Sequence, residues 1–273
     1  MRLFMVPITS KRTLIYCKRI DGHLTKQVSY IDRLTNKASE TWAKFEEVES
    51  GWKKSLVVYG HRALQRIPYE EWGLKSVPPL GVRREAEELS AHTPVDLIYP
   101  ANVIKSSRVL DSLRQLATER QDLHRKKMLG SLAAAPLTAP VALIPLIPNI
   151  PFFYLLYRGW SHWRALNGSK HLEFLLEKNL VNPIALPELE HLYSKNMNSA
   201  QSSSSQPLDY KNEKNSFEVT SHEEDPDDRI LLKEYDGKQL AEILGAPELA
   251  AEVERAVGQV KHRLKEKRGV KSR

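Results

Sequence analysis

Cysteine is almost absent from this chain, since Cys17 is the only one among 273 residues. A single cysteine excludes an internal disulfide framework and any zinc or iron–sulfur site built from several thiolates. A Walker loop, a dinucleotide fingerprint, a nucleophile elbow and an HExxH pattern are also missing from the sequence. Neither Glu173 with Glu177 nor His162 with His171 has partners at metal-ligand or catalytic-triad spacing. The sequence therefore predicts a non-enzymatic protein with no catalytic residues, no cofactor and no metal.

Acidic residues are too few to balance the basic ones, and the excess lies in the first half of the chain. The whole chain has 41 Lys and Arg against 34 Asp and Glu. Residues 1–127 hold 23 basic and 15 acidic side chains, whereas residues 158–273 hold 18 and 19. Nucleic acid is not expected as a partner, because no aromatic RNA-binding signature or zinc knuckle accompanies the charge. An RNA- or ribosome-associated membrane factor remains an alternative that rests on charge alone.

Charge is entirely missing from residues 128–157, which read MLGSLAAAPLTAPVALIPLIPNIPFFYLLY. A membrane-crossing helix needs about 20 apolar residues, so this segment is long enough to reach across a bilayer. Its prolines make one straight helix implausible, because proline removes an amide donor and clashes with the preceding turn. The last three of them surround an asparagine in a turn-like sequence. The segment is therefore predicted to fold back or bend at an apex formed by Pro145, Pro148, Asn149 and Pro151.

Three interpretations of this segment are open. It forms a helical hairpin dipping into the bilayer, a single kinked crossing, or a buried core hairpin of a soluble protein. The flanking residues favour a membrane, because basic side chains suit lipid phosphates and aromatic rings suit the headgroup region. The predicted lipid-anchoring residues are Arg125, Lys126, Lys127, Arg158, Trp160 and Trp163. An average hydropathy of −0.46 for the whole chain argues against a polytopic transporter.

Two short apolar stretches near the N-terminus predict a β-hairpin. Residues 3–6 and 13–17 have strand-type sequences and are separated by a turn that includes Pro7. The first twenty residues hold basic but no acidic side chains, which superficially suggests a mitochondrial transit peptide. Because the segment makes a poor amphipathic helix, we interpret it as structural rather than as a removable presequence. Cys17 is interpreted as a small buried hydrophobe.

Apolar residues at spacings of three and four predict helices over most of the remaining chain. The predicted helices cover residues 35–67, 84–91 and 106–129, a segment from 158 that stops at Asn167-Gly168, and residues 231–244 and 247–267. Residues 194–228 lack this periodicity and are rich in serine and acidic residues, which is typical of a disordered linker. The two helices after the linker are too small for a core of their own, so they should dock on the rest of the protein or on a partner.

The sequence thus predicts a mainly α-helical chain with a small N-terminal β-hairpin, anchored in a membrane by a proline-rich apolar helical hairpin or kinked helix. Five segments follow from the pattern. They are an N-terminal α+β region (1–127), a membrane-inserted apolar segment (128–157), juxtamembrane helices (158–193), the disordered linker (194–228) and a C-terminal helical tail (229–273).

Several stretches of the sequence combine into one recognisable pattern. They are the opening MRLFMVPITSKRTLIYC, the tryptophan-rich ETWAKFEEVESGWKKSLVVYGHRALQRIPYEEWGLKSVP, VDLIYP at 95–100 and LTAPVALIPLIPNIPFFYLLYRGWSHWRALNGSKHL. Together they resemble the fungal mitochondrial K+–H+ exchange-related protein family. The resemblance covers about residues 1–182 and resumes weakly in PELAAEVERAV. It rests on the whole pattern and supplies no catalytic or ion-binding residues.

This resemblance implies a location in the mitochondrial inner membrane and involvement in potassium–proton exchange. Coupled exchange normally needs an ionisable group inside the membrane, whereas Ser131, Thr138 and Asn149 are the only polar side chains in residues 128–157. We therefore expect an accessory or oligomeric component of monovalent-cation homeostasis. Membrane lipids, further copies of the chain and other inner-membrane proteins are its expected partners. The alternative is a membrane-anchored scaffold whose C-terminal helices bind a protein partner.

Overall fold

The fold was analysed in a computed structural model, which describes residues 1–18, 54, 58, 66–91, 93–143, 150–202 and 228–271. The chain divides into two units, one formed by Met1–Lys18 with Tyr69–Arg273 and the other by Arg19–Pro68. All the strands and helices below belong to the first unit. The helix predicted over residues 35–67 falls in the second unit and, apart from isolated positions, lies outside the described residues.

A four-stranded sheet forms the centre of the first unit. Its strands are β1 (Arg2–Pro7), β2 (Thr13–Lys18), β3 (Val95–Tyr99) and β4 (Val181–Ala185), arranged in the order β2-β1-β3-β4. β1 and β2 pair antiparallel, whereas β1 pairs with β3, and β3 with β4, in parallel. The predicted hairpin is present, but it is half of a mixed sheet. The fold class predicted from the sequence is wrong in treating it as an isolated hairpin.

The sequence patterns of β3 and β4 explain why these two strands escaped prediction. β3 reads VDLIY and is almost continuously apolar, as is typical of parallel strands covered on both faces. Leu97 in its centre has no exposed surface. β4 reads VNPIA, and its Pro183 is tolerated because β4 is an edge strand that needs fewer backbone donors. Neither strand shows the alternation that identifies a half-buried strand.

Eight α-helices are described around the sheet. They are α1 (Tyr69–Ser76), α2 (Val82–Ala91), α3 (Val109–Thr118), α4 (Gln121–Ala134), α5 (Ile150–Glu177), α6 (Pro187–Ser202), α7 (Asp236–Ile243) and α8 (Leu249–Lys271). Two 3₁₀ helices, Ser106–Arg108 and Ala135–Leu143, precede α3 and follow α4. The single helix predicted over 106–129 is therefore divided, because the backbone leaves the helical conformation at Arg120.

Side chains on the two faces of the sheet belong to two separate hydrophobic cores. Leu3 and Met5 of β1 join a core with residues of α1, α3 and α5, and so does Cys17 of β2, which is buried as predicted. Phe4 and Val6 face the opposite way and join a core with residues of α6, α7 and α8. This alternation follows from the period of two along a strand. The sheet is therefore covered by helices on both faces.

The C-terminal tail docks on the sheet, as predicted. The apolar stripe of α8, which includes Leu249, Val253, Val257 and Val260, has no exposed surface and belongs to the second of the two cores. Residues 194–202 of the predicted linker lie in α6, and residues 203–227 lie outside the described part of the chain. The tail thus contributes a layer of the fold.

The apolar segment 128–157 does not form the predicted membrane anchor. Its described residues are divided among the end of α4, the 3₁₀ helix Ala135–Leu143 and the start of α5. Within the described ranges, no helix combines the length and the apolar character that crossing a membrane requires. The prediction of anchoring by an apolar helical hairpin or kinked helix is therefore wrong.

Proline accounts for the short helices in this segment. Pro136 and Pro140 fall in the 3₁₀ helix that follows α4, and a proline both lacks the amide donor and clashes with the turn before it. α4 consequently includes only residues 128–134 of the uncharged segment. At 1.5 Å per residue these cover roughly 10 Å, against a hydrocarbon core of about 30 Å.

Gly168 does not end a helix, contrary to prediction, because α5 continues through it to Glu177. A Cβ atom at position 168 would collide with the backbone carbonyl oxygen of Leu74 in α1. A Cβ atom at Gly73 would likewise collide with the carbonyl oxygen of Ile15 in β2. Both glycines therefore allow close backbone approach, and α1 is packed tightly between β2 and α5.

Candidate ionisable site

Five ionisable side chains from three helices meet in a buried position, which we call the ionisable cluster. α1 contributes Glu71 and Lys75, α4 contributes His124, and α5 contributes Arg158 and His162. The two histidines and Glu71 are each 2% exposed and Lys75 is 8% exposed, while the Arg158 side chain is 14% exposed. Residues four apart lie on one helix face, so α1 and α5 each direct a pair of these groups into the same space.

Glu71 and Arg158 form a two-pronged ion pair at the centre of the ionisable cluster. Arg158 Nη1 donates to Glu71 Oε1 over 2.9 Å and Nη2 donates to Oε2 over 3.1 Å. The hydroxyl of Ser161 also donates to Oε1. Burial raises the pKa of Glu71, but the hydrogen bonds from Ser161 and Arg158 and the charge of Arg158 outweigh it, so the pKa lies below its ordinary value. Glu71 is thus an anion at neutral pH.

The two histidines continue this pair as a hydrogen-bonded chain. His162 Nε2 lies 2.9 Å from Arg158 Nη2, and His162 Nδ1 lies 3.0 Å from His124 Nδ1. Because a guanidinium can only donate, Nε2 of His162 accepts the hydrogen bond from Arg158. Nδ1 of His162 therefore carries the proton and donates a hydrogen bond to Nδ1 of His124. This assignment leaves the proton of His124 on Nε2, a buried atom with no hydrogen-bond partner in the described part of the chain.

The pKa values of both imidazoles lie below their ordinary range. Burial is the largest cause for each, since it disfavours the charged form. The charge of Glu71 opposes this effect, and the charges of Arg158 and Lys127 add to it. Both histidines are therefore neutral near pH 7, in agreement with the hydrogen-bond chain, which requires neutral rings.

Lys75 completes the ionisable cluster with a cation held among aromatic rings. Its Nζ donates to Ser161 Oγ over 3.0 Å and lies 3.5 Å from the centre of the Trp72 ring. The rings of Tyr157 and Trp160 are 5.7 and 6.0 Å away, which favours the charged form. Burial, the largest effect, lowers the pKa of Lys75 to about 8.

Other charges face Lys75 from every helix packed around it. Glu71 on α1 and Glu252 on α8 raise the pKa of Lys75, whereas Arg158 on α5 and Arg255 on α8 lower it. Their influences are smaller than that of burial. Lys75 is therefore the group of the ionisable cluster whose charge changes just above neutral pH.

Comparison with Lys75→Met should reveal this titration in the stability of the protein. Between the folded pKa of about 8 and the ordinary value of 10.5, the unfolded chain holds the proton that the folded chain has lost. The free energy of unfolding therefore rises with pH in this window, by about 2 kcal/mol from about pH 7 to about pH 9.5. Urea unfolding of the wild-type and Lys75→Met proteins at these two pH values measures the pH-dependent gain in stability. An equal change in the free energy of unfolding of the two proteins would refute the titration of Lys75.

Three side chains of the ionisable cluster are also of the types that bind metal ions. Glu71, His124 and His162 offer ligand atoms that all lie within 4.8 Å of one another. However, Arg158 already donates to both carboxylate oxygens of Glu71 and lies against Nε2 of His162. A divalent cation would also meet the positive charges of Arg158 and Lys75. The arrangement favours a closed network of ion pair and imidazoles over metal coordination.

Of the residues predicted for the membrane apex, the structure describes one, Pro151. Pro145, Pro148 and Asn149 lie outside the described residues. Pro151 is exposed in the first turn of α5. Amide groups in the first turn have no hydrogen-bond acceptor within the helix, so proline costs no hydrogen bond there.

The residues predicted to anchor lipid are found in two kinds of environment. Arg125, Lys126 and Lys127 are exposed on α4, and their contact with lipid stays a prediction. Trp160 and Trp163 are half-buried on α5. Arg158 differs from the other cations, because its guanidinium is engaged with Glu71 inside the protein.

Sequence reasoning missed the ionisable cluster, although it singled out Arg158 and His162 for other reasons. The members of the cluster come from positions up to 91 residues apart, and no local motif joins them. The available signal is the pairing of unlike ionisable groups at a spacing of four, Glu71 with Lys75 and Arg158 with His162. Aromatic residues accompany each pair, Tyr69 and Trp72 in α1 and Tyr157 and Trp160 in α5, where a fully solvated charged face is not expected.

The sequence similarity of this chain to known proteins extends over most of the described fold. A family model described as mitochondrial K+–H+ exchange-related matches residues 2–176, which include β1 to β3 and all of the ionisable cluster. An uncharacterised protein of Schizosaccharomyces pombe is 31% identical over 192 residues, covering 70% of this chain and 81% of that protein. An uncharacterised protein of Saccharomyces cerevisiae is 29% identical over 205 residues, covering 66% of this chain and 64% of its own length. No solved structure matches.

Proposed function

This chain belongs to the mitochondrial K+–H+ exchange-related family, and we propose that it is a non-enzymatic accessory component of potassium–proton exchange at the mitochondrial inner membrane. The family description associates the chain with mitochondria and with this exchange. The accessory role and the inner membrane are the proposal.

The closed ion pair of Glu71 and Arg158 is the observation that supports an accessory role. A group that exchanges potassium for a proton must bind each of them in turn. Glu71 is the buried carboxylate of the ionisable cluster, and both of its oxygens already accept hydrogen bonds from Arg158. Its lowered pKa also opposes proton uptake near neutral pH. Such a carboxylate suits the stabilisation of a fixed arrangement better than the carriage of ions.

Lys75 gives this accessory role a means of responding to protons. It bridges α1 to Ser161 of α5 and changes charge near pH 8. A rise in pH removes a positive charge from the contact between the two helices, and a fall restores it. The protein would thereby couple its own stability to the ion that the exchange process moves.

Exposed apolar side chains on α4, on the 3₁₀ helix Ala135–Leu143 and on α5 support contact with other components of the inner membrane. Leu129 is 54% exposed, Leu137 81% and Phe153 63%. Three cations, Arg125 to Lys127, are exposed on α4 before them. Lipid headgroups, a second copy of the chain or another inner-membrane protein would cover such a surface.

Separation of the mitochondrial membranes tests the proposed location. Recovery of the chain with outer-membrane or matrix markers would contradict its association with the inner membrane.

The C-terminal scaffold alternative receives less support. Its basis is the apolar stripe of α8, and the side chains of that stripe are already buried in the protein's own core. A partner that bound this stripe would first have to displace α8 from the sheet.

Mitochondria from cells that lack this chain provide the test of its involvement. We expect slower swelling in potassium acetate, a condition in which swelling requires exchange of potassium for protons. Wild-type chain should restore the rate, and swelling in ammonium acetate, which needs no exchanger, is the control. An unchanged rate in potassium acetate after removal of the chain would contradict the proposal.

A further inference from the structure

A second polar site lies away from the ionisable cluster, in a cleft of about 550 Å³. We call it the cationic cleft, because its walls include six basic side chains. They are Lys11, Arg12, Lys105, Arg108, Arg120 and Arg263. Glu70 and Glu119 are its acidic side chains, which leaves a formal excess of four positive charges. A concentration of charge of this kind attracts anions.

The cationic cleft is found where parallel sheets commonly bind ligands. Lys11 and Arg12 follow the carboxyl end of β1, and Lys105 follows the carboxyl end of the neighbouring parallel strand β3. Ligands of open sheets bind in the crevice beyond these strand ends, where connecting loops diverge. The opposite wall is formed by α3 and by the first residues of α1.

Two of the basic residues in the cationic cleft have no charged partner in the described part of the chain. Lys105 and Arg108 are exposed, and neither forms an ion pair or side-chain hydrogen bond there. Arg120 and Arg263 differ, because both bind the same oxygen of Glu70, at 3.0 and 2.9 Å. Lys105 and Arg108 are therefore available to an anion without the loss of an existing salt bridge.

Unsatisfied polar atoms in the same cleft indicate unfilled hydrogen-bonding capacity. Among the residues that the structure describes, Nη1 of Arg12 is buried without a hydrogen-bond partner, although Nη2 lies 3.5 Å from Asp228. Oε2 of Glu70 is also buried without a partner. A buried donor left unpaired destabilises the folded protein, so an acceptor that reached Nη1 of Arg12 would be bound favourably.

The dimensions and walls of the cationic cleft indicate which anion it would accept. Pockets for small molecules measure roughly 300–1,000 Å³, and the cleft falls within this range. Arginine forks bind phosphate oxygens in pairs, and apolar side chains such as Ile15, Val103 and Leu116 line the remainder of the wall. These features favour a ligand with both phosphoryl groups and a less polar portion.

We propose that the cationic cleft binds a soluble organic polyphosphate of about the size of a nucleoside triphosphate. Lys105 and Arg108 contact its phosphoryl oxygens, and the apolar wall contacts its organic portion. This site is separate from the ionisable cluster, and the proposal does not depend on a role in ion exchange.

Calorimetric titration of the full chain with ATP, inorganic pyrophosphate and adenosine tests the proposal. We expect ATP and pyrophosphate to bind with an affinity that falls as salt is raised, because the attraction is ionic. Adenosine should bind at least tenfold more weakly than ATP. The double variant Lys105→Gln, Arg108→Gln should weaken ATP binding at least tenfold.

A matched control removes the same charge elsewhere. The double variant Lys170→Gln, Lys178→Gln changes two exposed cations that lie outside the cationic cleft, and it should alter ATP affinity less than twofold. Equal losses in the two double variants would show unspecific attraction and overturn the proposal. It would also be overturned by the absence of ATP binding at millimolar concentration, or by binding to phosphatidate vesicles without binding to either soluble phosphate.

Discussion

Replacing Arg158 by Met is expected to lower the free energy of unfolding by about 3–5 kcal/mol, because it leaves a buried carboxylate without its partner. The Glu71 side chain is 2% exposed, so water cannot replace the guanidinium. Nε2 of His162 would lose its donor in the same variant. Urea unfolding near pH 7 measures the loss.

The double variant Glu71→Gln, Arg158→Met is the matched control for this prediction. It removes both charges of this pair, so neither member stays buried without the other, and it should be more stable than Arg158→Met alone. The difference gives the interaction energy of the pair when Glu71→Gln is also measured. If the double variant lost as much stability as the two single variants added together, the ion pair would be energetically unimportant.

Replacing Gly168 by Ala is expected to destabilise the protein by about 3 kcal/mol or more. The added Cβ would collide with the carbonyl oxygen of Leu74, and a backbone atom can yield only if the whole of α1 moves. Because α1 also approaches β2 closely at Gly73, it has little room to retreat. Thermal or urea unfolding measures the effect.

Gly258→Ala provides the contrasting substitution within a helix. Gly258 lies in α8, and a Cβ added there meets nothing within 4 Å. Alanine should therefore stabilise α8 by up to about 1 kcal/mol through its higher helix propensity. If Gly168→Ala were neutral or stabilising, as is expected for Gly258→Ala, the close crossing of α1 and α5 at Gly168 would not be a constraint on the fold.

Elements with a strong local pattern were predictable from the sequence. The β1–β2 hairpin has two strand-like stretches around a turn, and α2 and α8 have clear boundaries and regular apolar spacing. Docking of the C-terminal tail, on the rest of the protein or on a partner, was also predictable, since a tail of that size cannot form its own core. In each case the information lies within one short stretch of the chain.

The rest of the sheet depends on pairing between distant segments. β1, β3 and β4 start at residues 2, 95 and 181, and a parallel pair requires a long connection between its strands. Neither the apolar run of β3 nor the proline-containing β4 identifies its partner. The order of the strands, and therefore the position of the cationic cleft beyond them, could not be deduced from local patterns.

The apolar segment 128–157 was misassigned because composition does not define helix boundaries. Its lack of charge resembles a membrane segment, yet α5 begins inside it and continues beyond it into the hydrophobic core at Ala165 and Leu172. Prolines shorten α4 on the other side. The same helix that starts in the apolar segment supplies Arg158 and His162 to the ionisable cluster.

Reconstitution of the purified chain in potassium-loaded liposomes tests most directly whether it carries ions or assists another carrier. We expect that the chain alone produces no potassium-dependent proton flux, because the buried carboxylate of Glu71 is closed by Arg158. Addition of the chain to inner-membrane vesicles from cells that lack it should restore the exchange. Potassium–proton exchange by the chain alone in liposomes would contradict the account.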